Sequence, residues 1–93
     1  MEFERFTMIY DPKKIKNKLR ILGDSFVKNN KNKGNLIILN KKYNLKEFHS
    51  IDNIKENQIK IGLIYNKYIF NKSFIFKNCQ ALIQCSFHDD NEY

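Results

Sequence analysis

Leu36-Ile37-Ile38-Leu39-Asn40-Lys41-Lys42-Tyr43-Asn44-Leu45 is the stretch on which the fold of this chain turns. An apolar, β-branched run meets a short polar break at Asn40–Lys42 and then a second run opened by an aromatic residue. That is the pattern of an antiparallel hairpin. Downstream, Ile59, Ile61, Leu63 and Tyr65 alternate with Lys60, Gly62 and Ile64. A period of two is the signature of a strand with one buried face. Upstream, Phe3–Tyr10 (FERFTMIY) is rich in aromatic and β-branched residues and is broken by Asp11-Pro12. Strand, hairpin and strand together predict a small antiparallel sheet.

The residues between the first strand and the hairpin supply the helical part. Pro12–Leu22 reads as a lysine-rich loop followed by a strand over Leu19–Leu22, although Ile15, Leu19 and Leu22 also sit at helical spacing. Asp24 is a suitable N-cap for a short helix over Ser25–Lys31, with Phe26 and Val27 turned to the core. Val27 occupies the position where a capping box would place Glu or Gln. Gly34 fits the stop. The fold class expected is therefore α+β, a small antiparallel β-sheet with one short helix.

Ninety-three residues are enough for one domain with a modest core. Ile, Leu, Phe and Tyr are too plentiful for a disordered chain. No apolar run reaches the roughly 20 residues of a membrane-spanning helix. The first residues lack the pattern of a signal peptide, which points to the cytoplasm, where Cys79 and Cys85 would stay reduced. The formal charge is +7, from 17 Lys and Arg against 10 Asp and Glu. Residues 1–33 hold nine of those bases and four of the acids. Only two bases are arginine, the better residue for bidentate contacts to phosphates and bases. Lys, Asn, Ile, Phe and Tyr all have A/T-rich codons, so codon bias offers a compositional origin for the charge.

After residue 65 the texture changes. Ser73, Phe76, Cys79 and Leu82 stand three apart, as S-x-x-F-x-x-C-x-x-L. With Leu19–Lys33 (LRILGDSFVKNNKNK) and Leu36–Phe48 (LIILNKKYNLKEF), this segment resembles the N-terminal region of BspA-like leucine-rich-repeat proteins of unicellular eukaryotes. In these a sheet module precedes a solenoid whose first repeat opens as S-x-M-F-x-x-C-x-x-L. Ile75 stands where the methionine is usual. The resemblance implies residues 1–65 as a sheet capping module, 66–87 as a first and incomplete leucine-rich-repeat unit, and 88–93 as an acidic tail. It also implies a protein-binding scaffold without catalysis, with Ser73, Phe76, Cys79 and Leu82 packing the repeat junction. A lone repeat cannot bury its own apolar face, so self-association through the open repeat end is expected. The identity of a protein partner is not legible.

Chemistry-bearing patterns are sparse. Cys79, Cys85 and His88, with His49 far upstream, lack the close paired spacing of structural zinc sites. Cys85, His88 and Asp89 lie near one another but in what reads as a tail, so a nucleophile–base pair is not favoured there. Three glycines give little material for a phosphate cradle. The expectation is no enzyme and no cofactor. The competing reading is a basic module for single-stranded nucleic acid. It would use Lys13, Lys14, Lys16, Lys18, Lys28, Lys31 and Lys33 for phosphates, and Tyr68, Phe70 and Phe74 for stacking, if residues 68–76 formed a strand with its aromatics on one face.

Overall fold

The computed structural model describes residues 3–15, 18–51, 55–66 and 71–89. The chain runs β1 (Phe3–Tyr10), a 3-10 turn over Pro12–Lys14, β2 (Lys18–Arg20), α1 (Asp24–Asn29), β3 (Gly34–Ile38), β4 (Lys41–Asn44), β5 (Phe48–Ser50), β6 (Ile59–Asn66) and β7 (Leu82–Asp89). Five strands make one antiparallel sheet in the order β4-β3-β6-β1-β7, and β2 pairs with β5 in a separate ribbon. This is a small α+β domain dominated by antiparallel sheet, as the alternation in its strands requires.

The period of two maps directly onto burial. Ile59, Ile61, Leu63 and Tyr65 of β6 are buried, and register places Ile61 between Met8 and Ile38, and Leu63 between Phe6 and Leu36. These cross-strand rows form one wall of the core. The opposite wall is irregular: Leu19, Ile21 and Leu22 from the β2 segment, Phe26 from α1, and Ala81 just before β7. Full burial of each such side chain stabilises by about 1.5–3 kcal/mol. Tyr10 closes one end, its hydroxyl donating to the Ile21 carbonyl at 2.6 Å. Burial pushes its pKa well above the usual phenol range.

Three local features depart from the sequence reading. The hairpin break is two residues rather than three: Ile38 pairs with Lys41 around Leu39-Asn40. Both turn residues have positive φ, 49° and 67°. The right-handed twist of the strands favours such a turn, and Asn tolerates the left-handed region. The helix starts one residue earlier, with Gly23 as N-cap in place of Asp24, whose carboxylate accepts from the Ser25 N–H at 2.8 Å. It ends at Asn29 rather than Lys31. A glycine is required at the cap, because a Cβ there would fall inside contact distance of the Phe74 carbonyl oxygen. The strand expected over Leu19–Leu22 runs instead over Lys18–Arg20 and pairs with β5.

The segment before β7 is built from turns. Ile75, Lys77, Cys79 and Leu82 N–H groups each donate to the carbonyl three residues earlier, at 3.1–3.3 Å. Phe76, Cys79 and Leu82 thus mark successive hydrogen-bonded turns, which is the physical meaning of their spacing. Residues 73–78 are therefore not a strand, and positive φ at Phe74 (60°) and Asn78 (64°) excludes one. The shared aromatic face expected over residues 68–76 does not form among the described residues; Tyr68 and Phe70 lie outside them. β7 then runs along β1, with register slipping between Ile9 and Tyr10 so that Ile83 is an extra, bulged residue. His88 and Asp89 fall within this strand.

Candidate interaction surface

The turns and β7 are fastened to the rest of the fold by one buried polar residue. The Asn30 amide nitrogen donates to the Phe26 carbonyl at 2.9 Å and to the Asn71 carbonyl, and its oxygen accepts from the Asn71 N–H at 2.7 Å. Gly23 adds a second tie, donating its N–H to the Ile75 carbonyl at 2.8 Å. Lys72 adds a third: its ammonium lies 3.4 Å from the Glu4 carboxylate and within 5.6 Å of the Phe6 and Tyr65 ring centres. Asn71 and Ser73 continue the order, the Ser73 N–H donating to the Asn71 side chain at 3.0 Å.

Of the expected junction residues, Cys79 is buried, Phe76 and Leu82 are half-buried against the core, and Ser73 is exposed. Burial pushes the Cys79 thiol up to about 11, with Arg20 acting weakly the other way. Cys85, on β7, is exposed, and both cysteines are free thiols. They are thus poor nucleophiles at neutral pH. Among the described residues, no group of three or more His, Cys, Asp or Glu side chains is placed to hold a metal ion.

The two ends of the sheet differ. At one end β4 is four residues long and carries exposed Lys41 and Lys42. At the other, β7 is eight residues long, holds no Lys, Arg or Pro, and among the described residues pairs with β1 on one side only. Ile83 is 46 % exposed beside it. Charge and brevity guard an edge strand against pairing; β7 is long, with its bulge at one end and a single acid, Asp89, at the other.

The lysines expected to contact nucleic acid do not lie on one element. Lys13 and Lys14 are in the 3-10 turn, Lys18 in β2, Lys28 in α1, and Lys31 and Lys33 between α1 and β3; Lys16 is outside the described residues. Phe74 is 62 % exposed, and the Lys77 ammonium lies 5.7 Å from its ring centre. Phe48, which sequence reasoning did not single out, is 41 % exposed with the Arg20 guanidinium 4.3 Å from its ring.

Sequence reasoning also missed a cluster at the exit of β4. Lys46 Nζ stands 2.9 Å from His49 Nδ1 and 4.1 Å from the Tyr43 ring centre, and the Tyr43 and His49 rings meet edge-on at 5.6 Å. The K-x-x-H spacing was the available signal, but it has meaning only once β4 and β5 turn their side chains together. On the sheet's uncovered face, a groove of about 630 Å³ lies over Gly62, lined by Arg5, Thr7, Ile37, Lys60 and Ile64 among others. Its lining includes both signs of charge but no His or Cys.

No protein-family model, curated protein or solved structure matches this chain. No helix among the described residues is long and apolar enough to cross a membrane.

Proposed function

We propose that this chain is a non-catalytic capping module for a leucine-rich-repeat scaffold that binds other proteins. The observation that carries the reading is the long, lysine-free outer edge of β7, unpaired among the described residues, at the end of a sheet whose other edge is short and lysine-bearing. Backbone N–H and C=O groups along a free edge are a template for another strand. The turns through Phe76, Cys79 and Leu82 deliver the chain to β7, and Cys79 among them is buried. In this role the sheet closes one apolar end of a stack of repeats, and β7 is the strand on which the next repeat lays its own.

Fusion ahead of a leucine-rich solenoid stripped of its own N-terminal cap tests the reading. The expected product is monomeric by light scattering and melts higher than the uncapped solenoid. A fusion as aggregated as the uncapped solenoid would overturn it.

A second reading, binding of single-stranded nucleic acid, draws support from the exposed Phe74 and Phe48 rings, each with a cation beside it. Fluorescence anisotropy of labelled single-stranded RNA at 50 and 200 mM salt separates the two. Tight binding that persists at the higher salt and weakens in Phe74→Ala would favour this second reading.

A further inference from the structure

The cluster of Tyr43, Lys46 and His49 plays no part in capping, and it has the makings of a reactive amine. An ammonium can only donate, so in the resting state Lys46 donates to His49 Nδ1 at 2.9 Å, and the imidazole is neutral with its proton on Nε2. No carboxylate lies within ion-pair distance of Lys46 among the described residues. The neighbouring acid, Glu47, is taken by Arg20 from β2 at 3.2 Å. Tyr43 on β4 covers the ammonium with its ring face, and His49 on β5 is half-buried, as Lys46 is. These are the titratable groups that face Lys46 from the strands around it. Partial burial lowers the Lys46 pKa. Burial first, and then the Lys46 charge, lowers that of His49. A lysine with an adjacent base and no anionic partner meets the conditions for nucleophilic activation.

We propose that Lys46 is a nucleophilic amine that accepts acyl groups from activated esters, with His49 as the base that takes its proton. His49 Nδ1 removes one proton from Nζ and passes it on to solvent. The freed lone pair attacks the ester carbonyl carbon, and the carbonyl π pair moves to oxygen. When that pair returns, the bond to the leaving oxygen breaks and the leaving group departs with its electrons. The second Nζ proton is lost to the leaving oxyanion, so the products are an amide on Lys46 and a free hydroxyl compound. No oxidant or reductant is needed.

Substoichiometric N-hydroxysuccinimidyl acetate, followed by peptide mass spectrometry, measures the acetylation rate at each of the 15 lysines in the native chain. The expected result at pH 7 is a Lys46 rate about tenfold above the median of the others, less than the roughly hundredfold or more of a fully positioned base because the site is half-open. The advantage should shrink above pH 9 as the other amines lose their protons. His49→Gln, checked for fold by circular dichroism, should return Lys46 to the median; His49→Asn serves if the first variant does not fold. A wild-type Lys46 rate at or below the median would overturn the proposal. So would a wild-type advantage that does not change with pH, or one that survives the loss of His49.

Discussion

Asn30 sits in a run, Val27-Lys28-Asn29-Asn30-Lys31, where composition alone would place every polar residue in solvent. It is instead fully buried, and both ends of its amide are used. Nothing local distinguishes it from Asn29, because its partner Asn71 lies 41 residues away. Replacing it with leucine removes both hydrogen bonds to the Asn71 backbone, at a part-buried junction. Asn30→Leu is expected to lose about 1–3 kcal/mol, from two hydrogen bonds to Asn71 at about 0.5–1.5 kcal/mol each. Chemical denaturation of the variant against wild type reads this directly, and Asn29→Leu at the exposed neighbour should change little. The same locality explains why Lys46 and His49 were not paired in the sequence reading, where His49 figured only as a remote metal ligand. The spacing of Phe76, Cys79 and Leu82, which mark successive turns, was legible because it lies within a few residues, while Ser73 at the same spacing is exposed.

At the scale of elements, what could be read was what a strand's own period dictates. Ile59–Tyr65 and Phe3–Tyr10 came through because alternation is a property of the segment itself. The helix came through in place but not in its cap, because the need for Gly23 comes from the Phe74 carbonyl, far along the chain. The aromatic alternation over residues 68–76 misled for the opposite reason. A period of two on paper does not survive a backbone folded into successive turns. The hairpin turn carries a testable strain. Leu39 is 61 % exposed at φ 49°, so its side chain contributes little packing while its backbone occupies a region that costs about 1–2 kcal/mol for a residue other than glycine, asparagine or aspartate. Leu39→Asn is expected to stabilise the domain by about 1 kcal/mol, with an upward shift in the urea midpoint. A downward shift would mean that Leu39 packs more than its exposure suggests.

The molecule as a whole should be sensitive to alkali. The folded Cys79 thiol is held at about 11 from a usual 9.0, so below pH 9 it is neutral in both states and its contribution is complete. As pH rises from 9 to 11 the unfolded chain sheds this proton first, and up to about 3 kcal/mol of stability is lost. Tyr10, also raised by burial, acts in the same direction from pH 10 upward. The urea midpoint of wild type should therefore fall between pH 8 and pH 10. In Cys79→Ala the fall should be smaller, while Cys85, whose pKa burial also raises, still contributes from pH 9 upward.

β1 occupies the place next to last in the sheet, between β6 and β7, with Thr7 opposite both Gly62 and Ser86. The first strand of this sheet to be made is therefore the one whose two neighbours are made last. For most of synthesis it has a nascent helix and a lone hairpin for company and no strand to join. Completion of this sheet waits until translation has passed residue 89, and a ribosome that stalled before β6 would leave FERFTMIY open to any other unfinished chain nearby.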